Sequence, residues 1–323
     1  MIDTIFIKIK KSNLYYYITV FVRLAVPPFY YRLRLNSWLS KKKNYDKKII
    51  DSRLNYYIST QKTSIHSKTS IHSKTSIPLN RIKKPQRGGM YYFDFKLIAQ
   101  YFVPKKRVHY LWGDITENQS VPTIVKSRPI AHTGNSVVMK LDRLRHFNFV
   151  NDHLSFSEKK DQIVWRGMLH NESRKMAVEK FHQHSDCNIG EYGSKNPKIK
   201  GAKGFLSISQ QLKYKFILSI EGHDVATNLK WIMSSNSLCF MPKPTYETWY
   251  MEGRLIPDYH YVLIRDDYSD LLEKMTYYKN NEPESQKIID NAHSWVAQFK
   301  DEKLEKLLSI LVLKKYFEAT NQN

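Results

Sequence analysis

Three places in the chain carry residues whose types and spacing could do chemistry. Asp114 follows an apolar run at 108–112 and Gly113. A carboxylate just past a strand stands where α/β proteins keep reacting groups and could take a proton from a hydroxyl; the same residue also suits a turn. Arg166 and Gly167 end a second run at 163–165, and Arg174 falls in the first turn of a helix expected over 172–181. Two arginines and a glycine at such a junction suit bidentate phosphate contact, against the simpler reading of ion pairs with Glu172 or Glu179. Glu221 and Gly222 end a third run at 216–220, before a polar turn, a helix expected to resume at 229–233, and a short apolar strand at 237–241 stopped by Pro242. This pattern is a βαβ unit, and ligands of open α/β sheets sit at the carboxyl ends of the strands, facing helix N-termini. Glu247 and Glu252 precede a further strand at 260–264 and either bind ribose hydroxyls or are solvated loop acids. His260 either touches a donor or is a satisfied strand histidine.

The elements needed to position these groups make the chain an α/β protein. Hydrophobic residues at 41% and aromatics at 13% over 323 residues suffice for two domains. The net charge of +22 points to an anionic partner: nucleic acid, anionic lipid or a phosphorylated substrate. Two cysteines, Cys187 and Cys239, without CxxC spacing exclude a disulfide scaffold and fit a reducing compartment. No run reaches the roughly 18 to 20 apolar residues of a spanning helix, and no small-residue cleavage site follows the N-terminal apolar stretch.

Segment 1–60 is expected to be a basic, aromatic extension, with eleven Lys or Arg against two acids in the first fifty residues. It suits either a helix lying on an anionic membrane or a solvated helix whose aromatics pack on the body. A nucleic-acid reading lacks an RNP, KH or helix-turn-helix signature. Segment 61–89, with the repeat KTSIHS, reads as a linker, so that the folded body begins near Met90. The body then divides into 90–160 and 161–323, closed by helices with a stripe of Leu304, Leu307, Leu308 and Leu311. FHQHSDC at 181–187 matches no zinc pattern and is read as a helix end.

YLWGD (110–114), VKSRP (125–129), VWRG (164–167), EGHDVATNLKW (221–231) and LIPDYHYV (255–262), in this order over 91–316, resemble the CAP10-type glycosyltransferases of family 90, in their bacterial lipopolysaccharide branch. The resemblance implies a GT-B fold, two Rossmann-like halves facing across a cleft, with the nucleotide on the C-terminal half. It implies an inverting transfer from a UDP-sugar to a lipopolysaccharide core, with no metal or cofactor and no nucleic-acid partner, at the cytoplasmic face of the inner membrane. The family's catalytic base maps onto Asp114. Its donor-binding positions map onto Arg166, with Gly167 and Arg174 beside it, and onto Glu221, Gly222, Asp224, Thr227, Asn228 and Lys230. Asn228 departs from the protein-O-glucosylating relatives, which carry Arg at that position. Transfer to capsule polysaccharide or protein is the alternative within the family, and a non-catalytic basic lipid- or nucleic-acid-binding protein the alternative outside it.

Overall fold

The apolar runs around positions 163, 216 and 238 become the middle of a parallel sheet, as strands buried on both faces should. The computed structural model describes residues 12–59, 76–86, 88–132, 134–193 and 201–322. The chain divides into two units: unit 1 takes 1–146, 246–251 and 299–323, and unit 2 takes 147–245 and 252–298. Most of the KTSIHS repeat lies outside the described residues.

Along the chain, β1 (Ile77–Pro78) pairs antiparallel with β2 (Arg107–Val108), and β3 (Thr123–Val125) pairs parallel with β5 (Ser136–Val138), a bridge from Tyr110 to Ile124 adding to it. β4 (Ser127–Pro129) lies between these two in sequence. The next four strands, β6 (Lys160–Gly167), β7 (Cys187–Glu191), β8 (Tyr214–Leu218) and β9 (Leu238–Met241), belong to unit 2. β10 (Tyr246–Thr248) returns to unit 1 and pairs antiparallel with β4, and β11 (Val262–Leu263) rejoins unit 2.

Unit 2 is a five-stranded parallel sheet in the order β11-β9-β8-β6-β7. Alternate residues, Ile163 and Trp165, Phe216 and Leu218, Leu238 and Phe240, share one face. There they form a buried core with Ala177, Val178 and Phe181 of the helix Glu172–Phe181 and with residues of the helices Leu271–Asn280 and Glu282–Ala297. The expected βαβ pattern is present, although its helix, Leu229–Ile232, is a single turn.

Among the described residues, unit 1 holds only two-stranded pieces, and its core is largely helical. The segment read as an extension is built into it. In the helix Lys47–Tyr57, Ile50, Arg53 and Tyr57 are buried. Arg53 lies 2.6 Å from Glu305 of the closing helix Glu302–Ala319, and Tyr57 stacks on Trp249 at 3.8 Å. Helix Asn13–Ala25 buries Tyr16 and Val20 against Phe93 and Leu97 of the helix Gly89–Ala99. The folded body therefore starts well before Met90: basic residues and aromatics conceal a buried stripe that only distant partners reveal. No described helix is long and apolar enough to cross a membrane.

Burial holds the imidazoles of His109, His132 and His260 below their ordinary range. His260 Nδ1 accepts the Ile256 N–H at 2.9 Å, a bond that protonation removes. Between the lowered folded values and the unfolded value of about 6.5 the unfolded chain binds more protons, so this stability is complete above about pH 6.5 and is lost as pH falls through the folded values. The melting temperature is expected to fall between about pH 7.5 and pH 5, and to fall less in His260→Asn, whose side-chain oxygen replaces the acceptor. Equal losses in both proteins would remove His260 from the effect.

Candidate functional site

In unit 2 the chain runs outward from β6 to β7 and then starts again on the other side of β6 with β8. In open sheets of this order the ligand crevice lies outside the carboxyl ends of the strands flanking that reversal. Here those ends are residues 166–171 after β6 and 219–224 after β8.

Arg174 ties the two ends together. Its Nε donates to the Glu221 carbonyl at 2.9 Å, Nη2 to the Ile220 carbonyl at 2.9 Å and Nη1 to the Met168 carbonyl at 3.1 Å. Asn171 caps the helix Glu172–Phe181 by accepting from the Arg174 N–H, and its own amide donates to the carbonyls of Glu221 and Gly222. Gly222 permits this approach, since a Cβ there would lie 3.0 Å from Arg174 Nη2. Three of the five guanidinium N–H groups are used, leaving two. Burial lowers the proton affinity of Arg174, yet no carboxylate among the described residues pairs with it.

Among the described residues Arg166 also lacks a carboxylate partner but is more fully engaged: it donates to the carbonyls of Gly204, Trp165 and Asn188 and to Asn188 Oδ1. Gly167 makes room for Trp165, whose indole would sit 2.5 Å from a Cβ. Glu221 accepts from the Thr245 N–H and hydroxyl, holding the chain that follows β9. Asp224 is buried, its carbonyl accepting from the Gly222 N–H at 2.8 Å, and Thr227 is half-buried. Asn228 donates to the Leu218 carbonyl and accepts from Ser219, so it braces the end of β8. A one-turn helix has too little dipole to hold a phosphate. The helix that starts at this crevice is Glu172–Phe181, and not the one after Gly222.

His170 and His223, one past each strand end, stack with ring centroids 4.6 Å apart and are both exposed. Sequence reasoning missed this pair; its signal is a histidine three residues after VWRG and another inside EGHDVATNLKW.

The remaining acids are committed elsewhere. Glu252 pairs with Lys230 at 2.5 Å with both side chains 1% exposed, and Glu247 pairs with Arg128 at 2.7 Å and accepts from Tyr56. Buried and paired, neither carboxylate is presented to a ribose. His260 is buried beside Trp295.

In unit 1, Gly113 adopts φ 108°, a turn that suits glycine, and puts Asp114 just beyond the aromatic pair Tyr110 and Trp112. Lys126 Nζ lies 2.7 Å from Asp114 Oδ1, and Arg145 Nη2 lies 3.6 Å away. The lysine side chain is 1% exposed and the aspartate 30%, so a buried cation orients a carboxylate that solvent reaches. Neighbouring Asp142 is pushed up by burial, against the pull of Arg145 and Lys126. Lys126 is a second site residue that sequence reasoning left unassigned, although it stands in VKSRP.

A parallel α/β unit with a guanidinium at its strand ends, in a chain whose other unit holds an oriented carboxylate, has the parts of a group-transfer enzyme. The model of glycosyl transferase family 90 matches residues 137–317, and the chain belongs to that family and is a glycosyltransferase. It is 45% identical over 233 residues to O-glucosyltransferase LpsA of Dichelobacter nodosus, covering 72% of this chain and 73% of the relative. It is 31% identical over 140 residues to human Protein O-glucosyltransferase 3, covering 42% of this chain and 27% of the relative. Protein O-glucosyltransferase 2 of Danio rerio is 36% identical over 109 residues, which is 33% of this chain and 19% of that protein.

The Lys230–Glu252 pair gives a direct stability test of unit 2. Glu252→Ala strands a buried ammonium and is expected to cost about 3–5 kcal/mol, whereas Lys230→Met with Glu252→Leu recovers most of it. Denaturant midpoints check this, and a double variant no better than Glu252→Ala would show that the pair does more than neutralise itself.

Proposed function

We propose that this glycosyltransferase moves a sugar, with inversion, from a UDP-sugar to a lipopolysaccharide core acceptor, using a GT-B arrangement and no metal. Unit 2 takes the donor, unit 1 supplies the base, and the protein works at the cytoplasmic face of the inner membrane. The observation that carries the reading is Arg174: a partly buried guanidinium at the sheet's switch point, with two N–H groups left over and no carboxylate among the described residues. A diphosphate supplies the missing negative charge. As the sugar–phosphate bond breaks, charge grows on the leaving diphosphate, and a fixed cation there stabilises it more than it stabilises the bound donor. Arg166 is the secondary contact, because four of its donors already serve the protein.

Asp114 takes the proton of the acceptor hydroxyl. Lys126 fixes the carboxylate, which keeps the base oriented before the acceptor arrives. The name of the Dichelobacter relative makes glucose the first donor sugar to test. The resemblance to the lipopolysaccharide branch, together with the +22 charge, favours an anionic, lipid-linked acceptor over a protein.

Asp114→Asn is expected to keep UDP-sugar affinity and lose at least ~100-fold in turnover, the usual share of a general base. Isothermal titration with UDP and a nucleotide-release assay on core oligosaccharide read the two quantities, and parent-rate transfer would remove Asp114 from the role. Arg174→Ala is expected to weaken UDP binding about tenfold or more, beyond the effect of Arg166→Ala, as loss of a charge-assisted contact would. If Arg166→Ala did more damage, the ranking of the two arginines would reverse.

A further inference from the structure

Helix Asn13–Ala25 is apolar on two sides. One side, Tyr16 and Val20, is buried against Phe93 and Leu97. On the other, Leu14 is 72% exposed, Ile18 52% and Val22 64%, and Phe21, whose ring meets the edge of Phe93, is 56% exposed. Their spacing of four, seven and eight puts all four on one helical face. Phe29 and Leu33, on the turns that follow, are exposed too. A surface helix normally turns charge to solvent; this one turns leucine, isoleucine, phenylalanine and valine.

The chain that follows this helix and the closing helix Glu302–Ala319 bring together a group of cations with no carboxylate partner among the described residues. Lys306 Nζ sits 4.4 Å from the centroid of Trp38 and 5.2 Å from that of Tyr101, and Lys41 Nζ sits 3.9 Å from Trp38 on the same indole. Arg34 donates to the Tyr30 hydroxyl at 2.9 Å. Burial, and then the charges of Arg23, Arg34, Lys41 and Arg143, bring Lys306 down to about 8. Arg143 is paired with Asp94. Lys306, Arg23, Arg34 and Lys41 have no carboxylate partner among the described residues. Cations that repel one another against aromatic walls, with Arg34 adjoining the exposed Phe29, Tyr30 and Leu33, match the two parts of an anionic amphiphile.

We propose that the outer face of helix Asn13–Ala25 docks on an anionic bilayer, its apolar side chains entering the acyl boundary while the Lys306, Arg34 and Lys41 cluster takes a lipid phosphate. The charge balance of the first fifty residues, eleven basic against two acidic, selects an anionic lipid surface over a second copy of this equally basic chain. Because no described helix can span a bilayer, the helix lies along the surface. This docking does not depend on which donor or acceptor the enzyme uses, so vesicle binding and sugar transfer can fail separately.

The test is co-sedimentation of the full chain with vesicles of phosphatidylcholine alone or with added phosphatidylglycerol. Truncation would not serve, because the same helix is part of the unit 1 core. Wild-type protein is expected to bind the anionic vesicles about tenfold or more tightly than the neutral ones. Ile18→Asp with Val22→Asp should lose about tenfold on the anionic vesicles, with an unchanged melting temperature. Arg34→Gln with Lys41→Gln should lose the anionic preference while keeping the weak neutral binding. Equal wild-type binding to both vesicles, wild-type affinity in the aspartate variant, or a wild-type dimer that this variant dissociates would each overturn the proposal. So would binding of free inorganic phosphate or a single-stranded oligonucleotide in place of vesicles.

Discussion

The Arg174 guanidinium is the constraint on which unit 2 depends. Backbone carbonyls at the ends of β6 and β8 point out of the sheet and have no strand beyond them to bond with, and one planar side chain satisfies three. The same act brings a full positive charge to the reversal of the sheet. Structure and charge placement are thus combined in one residue: the carbonyl bonds fix the guanidinium, and with it the positive charge, in place. Gly222 and Asn171 are the conditions for that placement, the first by having no side chain, the second by holding both the helix and the loop.

Unit 1 solves a different problem. It has little sheet, so its polar groups are satisfied by buried ion pairs: Arg53 with Glu305, Arg128 with Glu247, and Lys126 with Asp114. The first two are closed to solvent, and the third leaves its carboxylate 30% exposed. That difference separates carboxylates shut inside a core from one that solvent reaches. Lys140 and the Trp249 indole also reach Glu305, so the closing helix is held by charge as well as by leucines.

The sheet of unit 2 was legible because strands buried on both faces announce themselves as unbroken apolar runs, and Arg166 and Glu221 were legible because they end such runs; the run at 108–112 before Asp114 is strand only at Arg107–Val108, with a single bridge at Tyr110. Arg174 was visible as a candidate, but its partners are backbone carbonyls, which leave no mark in a sequence. Glu247 and Glu252 were read as ribose contacts or solvated loop acids because nothing local identifies the cations that bury them; Arg128 is 119 residues from its partner. The N-terminal helices were hidden for the same reason. Arg53 and Tyr57 look like solvated residues until Trp249 and Glu305 are placed beside them.

The chain passes between its two units four times, at 146, 245, 251 and 298. Unit 2 is therefore complete once residue 298 has been made, while the core of unit 1 still waits for Leu307, Leu308 and Glu305. During synthesis, helix 13–25 can already meet its partner, helix 89–99, but helix 47–57 must wait for the last helix to leave the ribosome, with Arg53 lacking Glu305 in the meantime. Domain-by-domain maturation from the N-terminus is closed to this topology; unit 2 matures first, and unit 1 is sealed from the C-terminus backwards.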